Sequence, residues 1–313
     1  MKALITGVNG FVGKYLSDYL IKKSIEVWGT TYGVENIFNE TNDIITRELD
    51  IADIQEVKKV LVECKPDYIF HLAAQSSAAI SWKNPQLTMQ VNINGTLNLL
   101  QSVRELGINP RILLIGSSEE YGFVRPEDIP VNEMQALKPS NPYAISKIAQ
   151  SMMGELYVKA YDMDIIMVRA FNHIGPGQSS IFVASDFAKK IAEIEKGIVQ
   201  PILMVGNLEA RRDFTDVRDI VRAYYELAKK GEQGDLYNVG SGVSYPIQYI
   251  LDTLLSITNS KIQVCEDFNK MRPSDAPIIE CDNTKLKNLT GWYPRYVIED
   301  TLRDILDFWR DNI

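Results

Sequence analysis

Histidine and cysteine are almost missing from this chain of 313 residues, which holds only His71, His173, Cys64, Cys265 and Cys281. No two cysteines form a CxxC pair and no HExxH occurs. A structural zinc site or a zinc hydrolase is thereby excluded, and no metal site is expected. Three scattered cysteines fit a reducing compartment better than a disulfide framework. Positive charge is also short, with 33 Lys and Arg against 41 Asp and Glu, a net charge of −8. That balance does not suit neutralisation of a polymeric phosphate backbone, so no nucleic-acid partner is expected. No run of 18 apolar residues occurs, so neither a transmembrane helix nor a membrane partner is expected. Met1-Lys2 leads into a four-residue apolar run that stops at Gly7, too short for a signal-peptide core. A cytoplasmic protein is the expectation.

What is present is ordinary in amount and ordered in pattern. The chain is 45% apolar and 24% charged, as soluble globular domains are. Its first half alternates strand-like and helix-like segments. Apolar runs at 2–6, 26–30, 44–49, 68–72, 111–116 and 165–170 read as strands. Helical spacing of apolar residues marks 11–22, 54–64, 85–106 and 143–161. This rhythm predicts an α/β protein of Rossmann type, a doubly wound parallel sheet with right-handed crossovers. After Asn172 the rhythm breaks into irregular helical and strand-like pieces. We read residues 1–171 as a dinucleotide-type domain and 172–313 as a smaller C-terminal α/β lobe for substrate. Segments around 206–240, Leu236–Val239 in particular, are expected to return to the main domain.

The strongest local motif is Thr6-Gly7-Val8-Asn9-Gly10-Phe11-Val12-Gly13, placed between the first strand and the first helix. Gly7 allows a tight turn, Gly10 lets backbone approach a pyrophosphate, and Gly13 lets helix and strand pack closely. The helix N-terminus then offers unpaired N–H groups to the phosphates. The second strand ends in Thr30 and Thr31, with neither the acid typical for NAD nor the arginine typical for NADP. Two neutral hydroxyls tolerate a 2′-phosphate, which tilts the reading to NADP and leaves NAD open. Asp50, beside Ile51, can reach an adenine amino group, and Asp53 reads equally well as a helix N-cap. Tyr143 and Lys147 stand at i and i+4, on one helix face. A lysine ammonium there is expected to lower the tyrosine pKa. Ser117 follows the fifth strand, and the carboxyl ends of parallel strands border the ligand crevice.

The order of these motifs resembles the extended short-chain dehydrogenase/reductase family. The resemblance rests on the GxxGxxG turn, His71-Leu72-Ala73-Ala74 after the fourth strand, Ser117 after the fifth and YxxxK on the next helix. It runs over essentially the whole chain. It implies an NADP or NAD cofactor held by Gly7, Asn9, Gly10, Phe11, Val12, Gly13, Thr30, Thr31, Asp50, Ile51, Leu72, Ala73, Ala74, Tyr143 and Lys147. It implies action on a nucleotide-sugar as epimerase, dehydratase or reductase, with Ser117, Tyr143, Lys147 and Glu119 as catalytic residues. A homodimer through the 85–106 and 143–161 helices is implied by the resemblance alone. In the second half, Phe171–Gln178, Gly206–Asp219 and Arg272-Pro273-Ser274-Asp275 resemble the family's substrate segments. They imply substrate contacts from Ser76, Ser118, Glu119, Asn172, Arg212, Arg272 and Asp275. Both arginines suit bidentate bonds to a diphosphate, and Asp275 suits ribose hydroxyls. Gly116–Gly122, taken with Phe171–Gln178 and Gly206–Asp219, most resembles the branch that reduces a GDP-4-keto-6-deoxy-hexose with NADPH or NADH to GDP-D-rhamnose. GDP-mannose 4,6-dehydratases are a neighbouring branch, alike at Ala73-Ala74-Gln75-Ser76 and in the Ser-Glu pair. Here Ser117 stands in place of their threonine, and their arginines after the second strand are missing. Glu119 stands where they keep an acid/base glutamate.

Overall fold

Short strands alternating with capped helices build the first half. In chain order these are β1 (Lys2–Thr6), α1 (Phe11–Ile21), β2 (Glu26–Thr31), β3 (Ile44–Glu48), α2 (Ile54–Cys64), β4 (Tyr68–His71), α3 (Ala78–Lys83), α4 (Pro85–Met89), α5 (Gly95–Glu105), β5 (Arg111–Ser117), α6 (Pro142–Tyr161) and β6 (Ile165–Ala170). The computed structural model describes residues 1–33, 43–270 and 276–313. Side-chain caps set the starts of α2 and α6, the first at the Asp53 that the sequence offered for it. The Asp53 carboxylate accepts the Gln55 and Glu56 N–H groups at 2.8 and 3.3 Å, so Asp53 is the N-cap of α2. Asn141 caps α6 by accepting the Ala144 N–H at 2.8 Å, ahead of Pro142 in the first turn.

The expected single helix over 85–106 divides. A π-helical turn, Gln90–Asn94, lies between α4 and α5. Such turns leave the apolar spacing nearly intact, so periodicity does not show them, and they gather at functional sites. The short α3 ahead of it also went unread, because six residues carry too little periodicity.

The second half supplies β7 (Asn172–Ile174), α7 (Val183–Glu195), β8 (Ile202–Val205), β9 (Arg211–Asp216), α8 (Val217–Lys230), β10 (Leu236–Val239), β11 (Ser244–Pro246), α9 (Ile247–Ile257), β12 (Gln263–Glu266), β13 (Ile278–Ile279), α10 (Thr284–Thr290) and α11 (Ile298–Asn312). The main sheet is parallel, in the order β10-β6-β5-β4-β1-β2-β3. Its reversal falls between β1 and β4, the place where doubly wound sheets open a crevice. Helices α1 and α8 cover one face around Ile5, Phe70, Ile115, Val168 and Tyr224. Helices α2, α5 and α6 cover the other around Leu4, Ile69, Leu114 and Met167.

Of the segments expected to return to the main domain, α8 and β10 do so, whereas β9 stays outside. It pairs with β7, β11 and β13. A third core, from Phe187 and Ile191 through Leu251 to Leu302 and Leu306, packs α7, α9 and α11 together. Buried Asp213 on β9 fastens this lobe to the end of the main sheet. Its carboxylate accepts N–H groups of Ser241, Gly242 and Cys281 at 2.8, 2.8 and 3.1 Å and the Ser241 hydroxyl at 2.6 Å. Among the described residues no helix is long and apolar enough to cross a membrane.

Candidate active site

A cavity of about 710 Å³ opens at the carboxyl ends of β1, β4, β5 and β6. The glycine turn forms one wall. Gly7 has φ +73°, and a Cβ on it would stand 3.1 Å from the Ala73 backbone. A Cβ on Gly13 would stand 2.5 Å from the Val8 carbonyl oxygen, so only glycine lets α1 dock there. Helix α1 starts at Gly10 with no side-chain cap and no acidic residue in its first turn. Its first amides are left for an anion, the arrangement a dinucleotide pyrophosphate needs. Asn9, Phe11, Val12, Thr30, Thr31, Asp50, Ile51, Leu72, Ala73 and Ala74 line the same cavity. Every residue expected to hold a cofactor therefore borders one space. The Thr30 hydroxyl also accepts the Gly7 N–H at 3.3 Å and its carbonyl the Val8 N–H at 2.9 Å, so Thr30 shapes the turn itself. The Asp50 carboxylate accepts the Ala52 N–H at 2.9 Å.

His71 belongs to the scaffold. Burial drives its pKa down to about 3, so the ring is neutral at physiological pH. The Thr96 hydroxyl donates to the Asn92 carbonyl at 2.7 Å, so it accepts from His71 Nε2 at 3.0 Å. His71 Nδ1 then accepts from the Thr6 hydroxyl at 2.9 Å, while Thr6 accepts the Ala73 N–H at 3.1 Å. From the π turn, Asn92 donates to the Gln75 carbonyl and the Ser146 hydroxyl at 3.0 and 2.9 Å. Ser146 in turn donates to the Tyr143 carbonyl at 2.7 Å. One network thus ties the loop after β4 to the helix that carries Tyr143.

Ser117, Tyr143, Lys147 and Glu119 line the inner end of the cavity. Ser117 ends β5, and its Oγ accepts the Glu119 N–H at 3.2 Å. The Glu119 carboxylate accepts from Asn141 Nδ2 at 2.9 Å. The expected acidification of Tyr143 by Lys147 is not what the structure shows. Burial, the largest influence, pushes the Tyr143 phenol up, Glu119 and Glu120 push the same way, and Ser117 beside it pulls down. The Lys147 ammonium donates instead to the Ile115 carbonyl at 2.7 Å and to Gln150 Oε1 at 3.0 Å. Burial lowers the Lys147 pKa to about 8, against the attraction of Glu120. The i, i+4 spacing placed both residues on one face, but a backbone carbonyl of β5 captured the ammonium.

On the substrate side, Ser76, Ser118, Glu119 and Asn172 line the cavity. Arg212 is not among the residues bordering it. Its Nη1 donates to the Arg211 and Ala276 carbonyls, both at 2.8 Å, because β9 and the chain before β13 run side by side. Arg272 and Asp275 lie outside the described residues. Sequence reading passed over Tyr224 and gave Gln178 only as the end of the Phe171–Gln178 segment. The Gln178 Oε1 and Tyr224 hydroxyl are buried in the cavity wall without a hydrogen-bond partner among the described residues. Tyr224 comes from α8, a helix remote in sequence whose spacing reads simply as core.

Fold and site together define a nucleotide-dependent enzyme of the extended short-chain dehydrogenase/reductase class. More narrowly, the chain belongs to the GDP-mannose 4,6-dehydratase family, whose model matches residues 4–305. It is 32% identical to the GDP-6-deoxy-D-mannose reductase of Pseudomonas aeruginosa, over 100% of this chain and 98% of that protein. It is 30% identical to GDP-mannose 4,6 dehydratase 1 of Arabidopsis thaliana, over 97% of this chain and 88% of that one. The solved structure of RMD from Pseudomonas aeruginosa complexed with NADPH superposes with a TM-score of 0.86 at 31% identity, covering 100% and 99% of the two chains. The UDP-glucose 4-epimerase of Thermotoga maritima, solved with UDP-glucose, gives a TM-score of 0.89 at 26% identity, covering 100% and 99%.

Proposed function

We propose that this protein is an NADPH- or NADH-dependent reductase that converts GDP-4-keto-6-deoxy-D-mannose to GDP-D-rhamnose. The observation that carries the reading is the meeting of Ser117, Tyr143 and Lys147 with the glycine turn in one cavity. Full-length similarity to a GDP-6-deoxy-D-mannose reductase supports it. The nicotinamide cofactor, when bound, supplies a hydride to the C4 ketone. Gly7 to Gly13 would hold its pyrophosphate, and Thr31, Asp50 and Ile51 would face its adenosine end. Ser117 orients the ketone by donating a hydrogen bond to its oxygen. Tyr143 donates its phenolic proton to the alkoxide as charge develops there. A reductase needs this phenol protonated, and burial keeps it in that form. Lys147 brings positive charge to this end of the cavity.

Residues 172–313 supply the sugar-nucleotide side in this account, with Asn172 and Ser76 among the contacts. Glu119 favours a second reading, dehydration of a GDP-hexose, since its carboxylate borders the cavity. That reaction consumes no external reductant, which separates the two. The test of catalysis is Tyr143→Phe. It is expected to bind GDP-sugar as wild type does and to lose turnover by about 10²-fold or more, the usual worth of a general acid. Undiminished turnover would reject the assignment.

We further infer a homodimer through α5 and α6. On α6, Ile145, Met152 and Leu156 are 48, 61 and 59% exposed at helical spacing, and Leu97 on α5 is 40% exposed. A stripe of this kind invites a second copy.

A further inference from the structure

Behind Ser117 lies a carboxylate that the proposed reaction leaves unused. Glu120 is fully buried. Its Oε1 accepts the Ser117 N–H at 2.9 Å. Its Oε2 accepts from Arg169 Nε at 2.8 Å and from the Ser151 hydroxyl at 3.2 Å. Arg169, on β6, is itself buried and lies 4.8 Å from the Tyr121 ring centroid. Gly116 makes room for this approach, since a Cβ there would stand 2.3 Å from Glu120 Oε1.

A buried Glu–Arg pair is often no more stabilising than apolar residues of the same volume. Stability therefore gives little reason to bury this one. Its location gives a better one. The carboxylate touches the main chain of Ser117 and is faced by Lys147 and Tyr143 as well as Ser151 from α6, by Arg169 from β6, and by its neighbours Glu119 and Tyr121. Its charge favours the ammonium of Lys147 and the neutral phenol of Tyr143.

We propose that Glu120 is a positioning residue, anchoring Ser117 through its backbone and setting its carboxylate, bonded to Arg169, beside the Tyr143–Lys147 pair. The inference rests on the reductase reading for its kinetic consequence only. Two variants separate tether from charge. Glu120→Gln keeps an acceptor for the Ser117 N–H and removes the charge. Glu120→Leu combined with Arg169→Met replaces the whole pair with apolar side chains and folds even if the single variant, with Arg169 left unpaired, does not.

Lys147 is followed by NMR in lysine-labelled protein free of ligand, its signal assigned by its loss in Lys147→Met. In Glu120→Gln its titration midpoint is expected to fall, because the Glu120 carboxylate favours the ammonium. The kcat for keto-sugar reduction is expected to fall about tenfold or more with KM within about threefold, the signature of a transition-state effect. A folded Glu120→Gln with the wild-type midpoint, or a folded apolar pair with the wild-type kcat, would overturn the proposal. A wild-type protein inert toward the keto-sugar, with the Lys147 midpoint still moving in Glu120→Gln, would reject the reductase reading and uphold the charge role of Glu120.

Discussion

Lys147 is 4% exposed, and its ammonium spends two hydrogen bonds on Ile115 and Gln150. Burial brings its pKa from 10.5 to about 8. The charge is therefore largely present at neutral pH and is lost as pH rises through about 8. Since a lysine with a lowered pKa loses its proton early, turnover is expected to fall on the alkaline side with a midpoint near 8, while Tyr143 remains protonated. A kcat–pH profile checks this, and a plateau extending to the ordinary lysine range near 10.4 would contradict it. At this scale the sequence was informative about identity and poor about partners. Tyr143 and Lys147 were legible from spacing. The capture of the ammonium by Ile115 was not, because that carbonyl arrives from a strand 32 residues earlier. No local pattern paired Glu120 with Arg169, 49 residues apart in sequence, and only β5 and β6 bring them together.

Elements were most legible where a cap or a glycine punctuates them. Asp53 and Asn141 mark the starts of α2 and α6, and the segments 54–64 and 165–170 match observed elements at both ends. The π turn in Gln90–Asn94 was hidden, because a single widened turn rotates the apolar stripe without breaking it. Its purpose emerges only in three dimensions, where Asn92 reaches both Gln75 and Ser146. The glycine turn gives the sharpest test at this scale. In Gly13→Ala the new methyl carbon would lie 2.5 Å from the Val8 oxygen and 2.7 Å from the Gly7 oxygen, both backbone atoms. Helix α1 must then lift from β1. We expect a loss of about 1–3 kcal/mol of stability, typical of overpacking, together with at least tenfold weaker NADPH binding. Chemical denaturation and fluorescence titration measure the two effects. Unchanged values for both would mean that the close helix–strand contact is not required.

For the whole molecule, the alternation of strands and helices was enough to predict the doubly wound sheet and the return of Leu236–Val239 to it. The second lobe resisted reading, since its short strands pair across long separations. β7 with β9 and β9 with β13 are joined by contacts that no local pattern announces. The surroundings of Arg212, which stands on β9 beside Ile279 of β13, were illegible for that reason. The exposed stripe of Ile145, Met152 and Leu156 belongs to this scale as well. Sedimentation is expected to find a dimer, and Met152→Glu with Leu156→Glu to give monomers that still bind cofactor. A monomeric wild type would end the dimer proposal without touching the chemistry. The central claim is tested most directly by incubating the protein with GDP-4-keto-6-deoxy-D-mannose and NADPH or NADH, following reductant at its absorbance band and the sugar by NMR. The account predicts one reductant oxidised per sugar, with C4 converted from ketone to alcohol in GDP-D-rhamnose. No consumption of either reductant, with the keto-sugar recovered unchanged, would contradict it.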